Sequence, residues 1–297
     1  MKIIKPSVEF FGAVPTDYAG TLAFIEKAGR TCYKSEDKIT DSSAEGFVKR
    51  LISAGHLAMV EHSNFVVRLS KGWIDPVTLQ GELGKYLNVI DVGSVYVGGN
   101  LTAWVRKLEE EDHGANPFSN SVFGPVLNIF GGLFGLSGCT DDVWQVCPHN
   151  EIPKELHRYS AKFICDRGVS HELVRHRPCS FAQESTRYVN YGGNDMEFIE
   201  PWWCNDAYGT NNGAAQYNNF EQMCLFAEEL YKDQLGHGQA PQAARAVLPN
   251  ALKTEIVVTA DAAEWAHIRK LRTASDAHPD IQRVMNMMPW EEFLCES

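Results

Sequence analysis

A chain of 297 residues with 44% hydrophobic and 22% charged content is long enough to bury a substantial core, as one large domain or two small ones. Its formal net charge of -11 excludes a general nucleic-acid binder, because neutralising a phosphate backbone needs a basic face. The opening MKIIKPSVEFFG lacks the long apolar run of a secretory signal, and the longest apolar stretch, residues 122–136, is interrupted by glycines, a proline and an asparagine. The expected setting is therefore the cytoplasm, with no membrane partner.

Residues 2–11 alternate loosely, as an edge strand does. Asp17 to Arg30 reads as a helix that Asp17 caps, with Leu22, Ile25 and Ala28 on one face. Ser42 to Ala54 is a second helix, stopped by Gly55. Val60 to Leu69 suits a strand. His56, Glu61 and His62 lie close in sequence, but their spacing supports no metal set, so structural or ligand-contacting roles are expected. Between residues 71 and 150 the pattern is weakest. Glu82 to Leu87 and Leu101 to Leu108 look helical, and Gly131 to Gly138 is not G-x-G-x-x-G and is expected to be a packed apolar loop.

Glu155 to Arg167 alternates through Tyr159, Ala161, Phe163 and Cys165, as a half-buried strand should. Gly168 is expected to break it, and Ser170 to cap a short helix from His171 to Arg177 that Pro178 ends. Asn218 to Leu235 is a long amphipathic helix with Phe220, Met223, Cys224, Phe226, Ala227, Leu230 and Tyr231 on a broad face. A short helix at Pro241 to Val247, a strand at Thr254 to Thr259, a helix at Ala262 to Leu271 and a last helix from His278 to about Met288 complete the chain. The mixture of strands and helices means an α/β fold, with α+β left open.

The stretch with the strongest chemical signal is RHRPCSFAQESTRY, Arg175 to Tyr188. Guanidinium groups match phosphate as a bidentate fork, each charge-assisted bond contributing about 1.5–3 kcal/mol. Ser185 and Thr186 add hydroxyls, and Gln183 adds an amide suited to a base edge. His171 and His176 mimic a zinc-binding H-E-x-x-H with one residue too many. At roughly 100° per residue they point about 140° apart on a helix and cannot share an ion, so no metal is expected. Eight cysteines include no C-x-x-C pair, and free buried thiols are the default.

Three blocks together resemble the flavin-dependent thymidylate synthases, the ThyX family: GHLAMVEH, the RHR block introduced by DRGVSHELV, and ARAVLPNALKTEIVVTADAAEWAHIRKLR followed by DIQ. The resemblance implies a central sheet flanked by helices, with residues 1–297 as a single catalytic domain and an insertion over about 71–150. It implies formation of dTMP from dUMP with methylenetetrahydrofolate as carbon donor, FAD as cofactor and NADPH as reductant. It also implies a homotetramer with shared active sites. Carried over position by position, Glu172, Leu173, Val174, Arg175, Gln183, Glu184, Ser185, Thr186 and Arg187 fall where the family binds dUMP, joined by Arg245 and Arg272. Arg272 and Ser185 are the catalytic candidates, Arg272 polarising the uracil and Ser185 meeting the phosphate end. His56, Ala58, Arg175, His176, Arg177, Gln183, Asp261, Ala262, Ala263 and His267 fall on FAD-contacting positions. Ala58, Ala182, Asp261 and Ala263 depart from the family's usual residues there. Those departures are the support for the rival expectation, a non-catalytic nucleotide-binding or regulatory protein that keeps the arginine pocket. Cys179, inside the RHR block, is tempting as a nucleophile because neighbouring cations lower a thiol's pKa. The family's motif has no cysteine there, so a packing role is expected.

Overall fold

The computed structural model describes residues 1–70, 72, 74–111, 117–136, 143–193, 195–204 and 213–294. In chain order, the strands among them are β1 (Lys2–Ile4), β2 (Ser7–Ala13), β3 (Phe65–Leu69), β4 (Asn88–Asp91), β5 (Val95–Gly99), β6 (Trp144–Val146), β7 (Arg158–Asp166), β8 (Ser180–Gln183), β9 (Glu197–Ile199) and β10 (Lys253–Asp261). The helices are α1 (Tyr18–Tyr33), α2 (Ser43–Ser53), α3 (Leu57–Val60), α4 (Pro76–Leu83), α5 (Leu101–Glu111), α6 (Pro117–Phe134), α7 (Arg167–Leu173), α8 (Gly213–Gly236), α9 (Pro241–Ala244), α10 (Ala262–Arg272), α11 (Pro279–Met285) and α12 (Trp290–Phe293).

The fold is mixed α/β, with helices packed on its sheets. The central sheet has the order β2-β7-β10-β8 and is antiparallel throughout. Strand β10 reads KTEIVVTAD and is buried along its first eight residues, which explains its nearly unbroken β-branched run. One face of the sheet carries Ala161, Phe163, Ile256, Val258 and Ala260 against Trp265 and Ile268 of α10 and Ile281 and Val284 of α11. The other face presents Ala182 and Val257 to Ala28 of α1. Burying each Ile or Val of this layer contributes about 1.5–3 kcal/mol.

A second antiparallel sheet, β4-β5-β3-β6, takes its strands from residues 65–146. Its core joins α1 and α2 to α4, α5 and α6 through Leu51, Phe65, Leu79, Leu87, Trp104 and Phe130. A short parallel pair, β1 with β9, forms a separate two-stranded sheet.

Several boundaries differ from expectation, each for a local reason. Helix α4 starts at Pro76 because Asp75 Oδ2 accepts from Thr78 N (2.9 Å), and Gly84 at φ 77° stops it, so 84–87 are not helical. The expected apolar loop from Gly131 is instead the end of α6. Gly135 at φ 72° and the bond from Leu136 N to Gly131 O (2.9 Å) close it in a Schellman turn, and residues 137–138 lie outside the described residues. The expected strand from Val60 begins only at Phe65, since residues 57–60 form a helical turn that Ser63 Oγ caps at Val60 O (2.6 Å).

Helix α7 starts at Arg167, not Ser170, because Asp166 Oδ1 accepts from Val169 N (2.8 Å). It ends at Leu173, which leaves Arg175–Arg177 in the turn beyond. The expected broad apolar face of the long helix is narrower in α8: Cys224, Ala227 and Tyr231 are buried, whereas Met223 and Phe226 are exposed. The expected last helix, from His278 to about Met288, is α11 and ends at Met285, and a further turn, α12, follows Pro289.

Candidate functional site

Asp261 is the N-cap of α10, its carboxylate accepting from Glu264 N (2.8 Å). With about 100° per residue, that start puts Glu264 between His267, about 60° to one side, and Arg272, about 80° to the other. That side of α10 meets the RHR turn and the end of α7. Arg272 Nη1 donates to Glu172 Oε2 (2.7 Å), its Nη2 to the Glu172 carbonyl (3.1 Å), and its Nε to His176 Nε2 (3.0 Å). On the other side of the imidazole, His176 Nδ1 lies 3.2 Å from Glu264 Oε1.

These contacts fix the state of His176. Burial, with Arg272 and His267 beside it, pulls its pKa down to about 4, so the ring is neutral at pH 7. Because Nε2 accepts from Arg272, the single proton sits on Nδ1 and is donated to Glu264. Burial also raises the pKa of Glu264. His176, Glu264 and His267 converge with ligand atoms within 4.8 Å of one another, a geometry that a cation can occupy. The guanidinium of Arg272 on the same imidazole opposes one, and the trio reads better as a relay that orients Arg272.

A second group forms where β8 ends. Arg245 Nη1 donates to Thr186 Oγ1 (3.2 Å), and Ser185 Oγ accepts from Arg187 N (3.3 Å). Glu184 is buried rather than free for a ligand: Lys253 Nζ and Tyr191 Oη donate to it at 3.2 and 2.8 Å. Lys253 also reaches Glu255 (2.6 Å), which Lys34 meets from just past the end of α1 (2.7 Å). Burial would raise Glu255, yet these two lysines hold its pKa down at about 2. A cavity of about 810 Å³ opens here, with Tyr33, Lys34, Tyr188 and Lys253 in its wall. His56 stands at the same edge, its Nδ1 2.8 Å from Tyr33 Oη, and Tyr33 packs on Tyr188 at 5.7 Å. The first and second sequence blocks therefore meet in space.

The remaining implied residues divide by exposure. Arg175, Arg177 and Arg187 are exposed, and among the described residues no carboxylate pairs with them. Val174 is exposed, while Leu173 is a core side chain that offers a ligand only backbone. Gln183 Nε2 donates to Ser170 Oγ (2.8 Å) and Thr254 Oγ1 (3.2 Å). Ala58 and Ala263 are exposed and carry no hydrogen-bonding group, and the Asp261 carboxylate is taken by its cap. Unpaired Arg175 and Arg177 beside the neutral His176 fit an anionic diphosphate group such as FAD carries. Cys179 is buried, and burial pushes its thiol well above the ordinary range, so the lowering expected from its cationic neighbours does not occur.

Glu264 and Lys34 are the site residues that sequence reasoning missed. The signal for Glu264 was present, as E-x-x-H-x-x-x-x-R following a capping aspartate. Lys34 carries no such signal, because its partner Glu255 is distant in sequence.

Residues 149–293 match the protein family described as "Thymidylate synthase complementing protein". The match covers just under half of the chain. The flavin-dependent thymidylate synthase of Mycolicibacterium gilvum (strain PYR-GCK) is 38% identical over 127 residues, 40% of this chain and 50% of the relative. Its namesakes in Geobacter sulfurreducens and Thermococcus onnurineus (strain NA1) are 34% and 32% identical over 116 and 122 residues, in each case 47% of the relative. The chain thus spans about half the length of the curated relatives it matches. A UMP/dUMP methylase, PolB from Streptomyces cacaoi bound with 5-Br dUMP, superposes at a TM-score of 0.45 and 16% identity, over 99% of this chain and 93% of that one. The thymidylate synthase complementing match takes in the RHR turn, Arg245 and Arg272, and leaves GHLAMVEH outside it.

Proposed function

We propose that the chain is a flavin-dependent thymidylate synthase that methylates dUMP to dTMP, with methylenetetrahydrofolate as the carbon donor. The observation that carries this reading is the clamp on Arg272 by Glu172 and His176, inside the segment that matches the family. In this reading Ser185 and Arg187 take the nucleotide phosphate, and Arg245, braced on Thr186, adds a third donor group. Arg272 faces the uracil and polarises it, and Glu264 acts through His176 to hold its Nε in place while the terminal nitrogens exchange Glu172 for the base. Arg175, His176 and Arg177 would hold FAD, which, when bound and reduced by NADPH, supplies the hydride. No nucleophilic side chain is required, in keeping with the raised thiol of Cys179.

Arg272, Arg175 and Arg245 line neither the cavity near Tyr188 nor the one described below. We read this as support for sites completed by a second copy in a homotetramer. We also read residues 1–297 as one catalytic domain whose insertion spans about 71–150, acting in the cytoplasm. The rival, a nucleotide-binding protein without turnover, draws on Ala58, Asp261 and Ala263. Reconstitution with FAD separates the two: flavin absorbance and NADPH-dependent dTMP formation are expected, and a protein that takes up no flavin under any condition sinks the enzyme reading.

A further inference from the structure

A cavity of about 600 Å³ lies between the residue 83–110 segment and the loop that follows the RHR turn. Its volume is that of a small-molecule site. Lys85, Tyr86, Arg106 and Lys107 come from the segment, and Arg177 and Ser180 from the motif loop. None of the first four lies in the part of the chain that matches the family.

The balance of charge is positive in a protein whose net charge is -11. Lys107 pairs with Glu110 at 3.6 Å. That leaves Lys85, Arg106 and Arg177 around the cavity against the single carboxylate of Glu61. Burial raises the pKa of Glu61, with Arg106 and the more deeply placed Arg158 pulling it back. Three cations gathered on one concave surface repel one another unless an anion sits between them. A further cation stands behind the wall: Arg158 donates to Ser180 Oγ at 2.9 Å, while its buried Nε has no hydrogen-bond partner.

The wall is rigid. Leu101 N donates to Ser63 Oγ (2.9 Å) and Thr102 Oγ1 to the Leu57 carbonyl (3.1 Å), tying the start of α5 to the first sequence block. Ser180 Oγ in turn donates to the Glu61 carbonyl (3.1 Å). At the rim, Tyr86 is 68% exposed, and Lys85 Nζ stands 4.9 Å from its ring centroid. A flat aromatic surface beside cations suits a heteroaromatic base with phosphates attached.

The geometry points to a nucleotide site in this cavity, with a diphosphate between Lys85, Arg106 and Arg177 and a base against Tyr86. The inserted segment then recognises a ligand as well as adding to the core. This site shares Arg177 with the proposed FAD contacts and rests on that reading only where its ligand is FAD. The shared chemistry, an adenosine diphosphate group, occurs free or as half of a flavin or nicotinamide dinucleotide.

Calorimetric titration of the full chain tests it, with ADP, pyrophosphate and adenosine as probes. ADP and pyrophosphate are expected to bind, with adenosine weakest. Arg106→Ala and Lys85→Ala, both at exposed positions, are expected to weaken ADP binding at least tenfold with unchanged thermal midpoints. Tyr86→Ala is expected to weaken ADP but not pyrophosphate. FAD against FMN, and NADPH against free ADP, identify the source: a loss confined to FAD assigns the flavin dinucleotide, one confined to NADPH the nicotinamide dinucleotide, and one confined to ADP a free nucleotide. Equal ADP affinity in wild type and variants, or no binding of ADP, pyrophosphate or either dinucleotide by wild type, overturns the site. Titration with dUMP runs in parallel. Its failure in every protein counts against the thymidylate synthase reading and leaves the cavity result standing.

Discussion

The two large sheets bury different things. Around β2-β7-β10-β8 the interior holds ionisable groups: Glu184, Lys253, Glu255, His62 and His176. Each is engaged, as His62 Nδ1 is with Thr259 Oγ1 at 2.8 Å. The core around β4-β5-β3-β6 is built from Leu79, Leu87, Val97, Trp104, Phe123 and Phe130, with Phe65 edge-on to Trp104 at 6.0 Å. Apolar cores lose stability through lost area and cavities, at any pH. Buried charge networks lose it when one partner goes and the others stay desolvated, and that penalty depends on protonation. Chemistry gathers beside the first sheet, where several buried ionisable groups meet, whereas the buried charges of α1 beside the second core are closed on each other as the Glu26–Arg30 pair (2.7 Å).

The sharpest test of that contrast pairs one substitution from each side. Lys253→Met keeps the volume but strands Glu184 and Glu255, and should cost about 3–5 kcal/mol at pH 7. Trp104→Ala should cost about 3–5 kcal/mol by opening a cavity. Their pH behaviour should differ. The depressed pKa of Glu255 contributes stability that is present above the ordinary glutamate value and lost as pH falls toward about 2. The gap between Lys253→Met and wild type should therefore narrow on acidification, while the Trp104→Ala gap stays level. Urea unfolding at several pH values reads both, and parallel gaps would break the comparison.

Acid should act on the first sheet through its histidines as well. His176 is held at about 4 and His62 at about 3, both below the ordinary 6.5 and both by burial first. A depressed histidine contributes stability that is complete above 6.5 and lost as pH falls through the folded value. For His176 the contribution is on the order of 3 kcal/mol. Thermal midpoints should fall between pH 6.5 and 4, and His176→Asn should flatten that slope. An unchanged slope would mean that the ring is not desolvated as described.

The same sheet also shows what was legible in the sequence. Strand β10 was readable because TEIVVT is β-branched at every position but Glu255, and α1 because Asp17 caps it, accepting from Gly20 N at 2.9 Å. Arg175, His176, Arg177 and Arg272 were readable as a set only through the resemblance. That His176 bridges Arg272 to Glu264 was not, because the bridge depends on how α10 packs against the RHR turn. Of the second sheet only β3, inside the expected strand from Val60 to Leu69, was legible, and the rest was not for a different reason. Its strands β4 and β6 have four and three residues, and its pairings join residues as far apart as Leu69 and Trp144, which no local periodicity records.

Arg175 tests whether the exposed arginines of the first region bind ligand or only line a surface. Arg175→Lys keeps the charge and loses the two-pronged donor. The expected effect is weaker dUMP binding by about 1.5–3 kcal/mol, read by titration of the folded variant. Unchanged affinity would remove Arg175 from the nucleotide site.

The smallest expected effects separate a buried polar group that packs from one that binds. Cys179 packs in the central core, and burial keeps its thiol protonated far above neutral pH. Replacing it with alanine removes one sulfur from a core, which should cost on the order of 1 kcal/mol of stability and leave most of the turnover. Ser185 is half-buried at the end of the motif, its backbone N held by the Cys32 carbonyl at 3.0 Å and its hydroxyl turned to the N–H of Arg187. Ser185→Ala should keep the backbone path and remove one donor to the nucleotide phosphate. The dUMP concentration needed for half-maximal rate should rise by an amount equivalent to about 0.5–1.5 kcal/mol, with little change in the limiting rate. The two variants thus move different measurements, stability for Cys179 and half-saturation for Ser185. A trapped covalent adduct between dUMP and Cys179, with turnover abolished in a well-folded Cys179→Ala protein, would instead make the cysteine the nucleophile and overturn the division between packing and binding at this sheet.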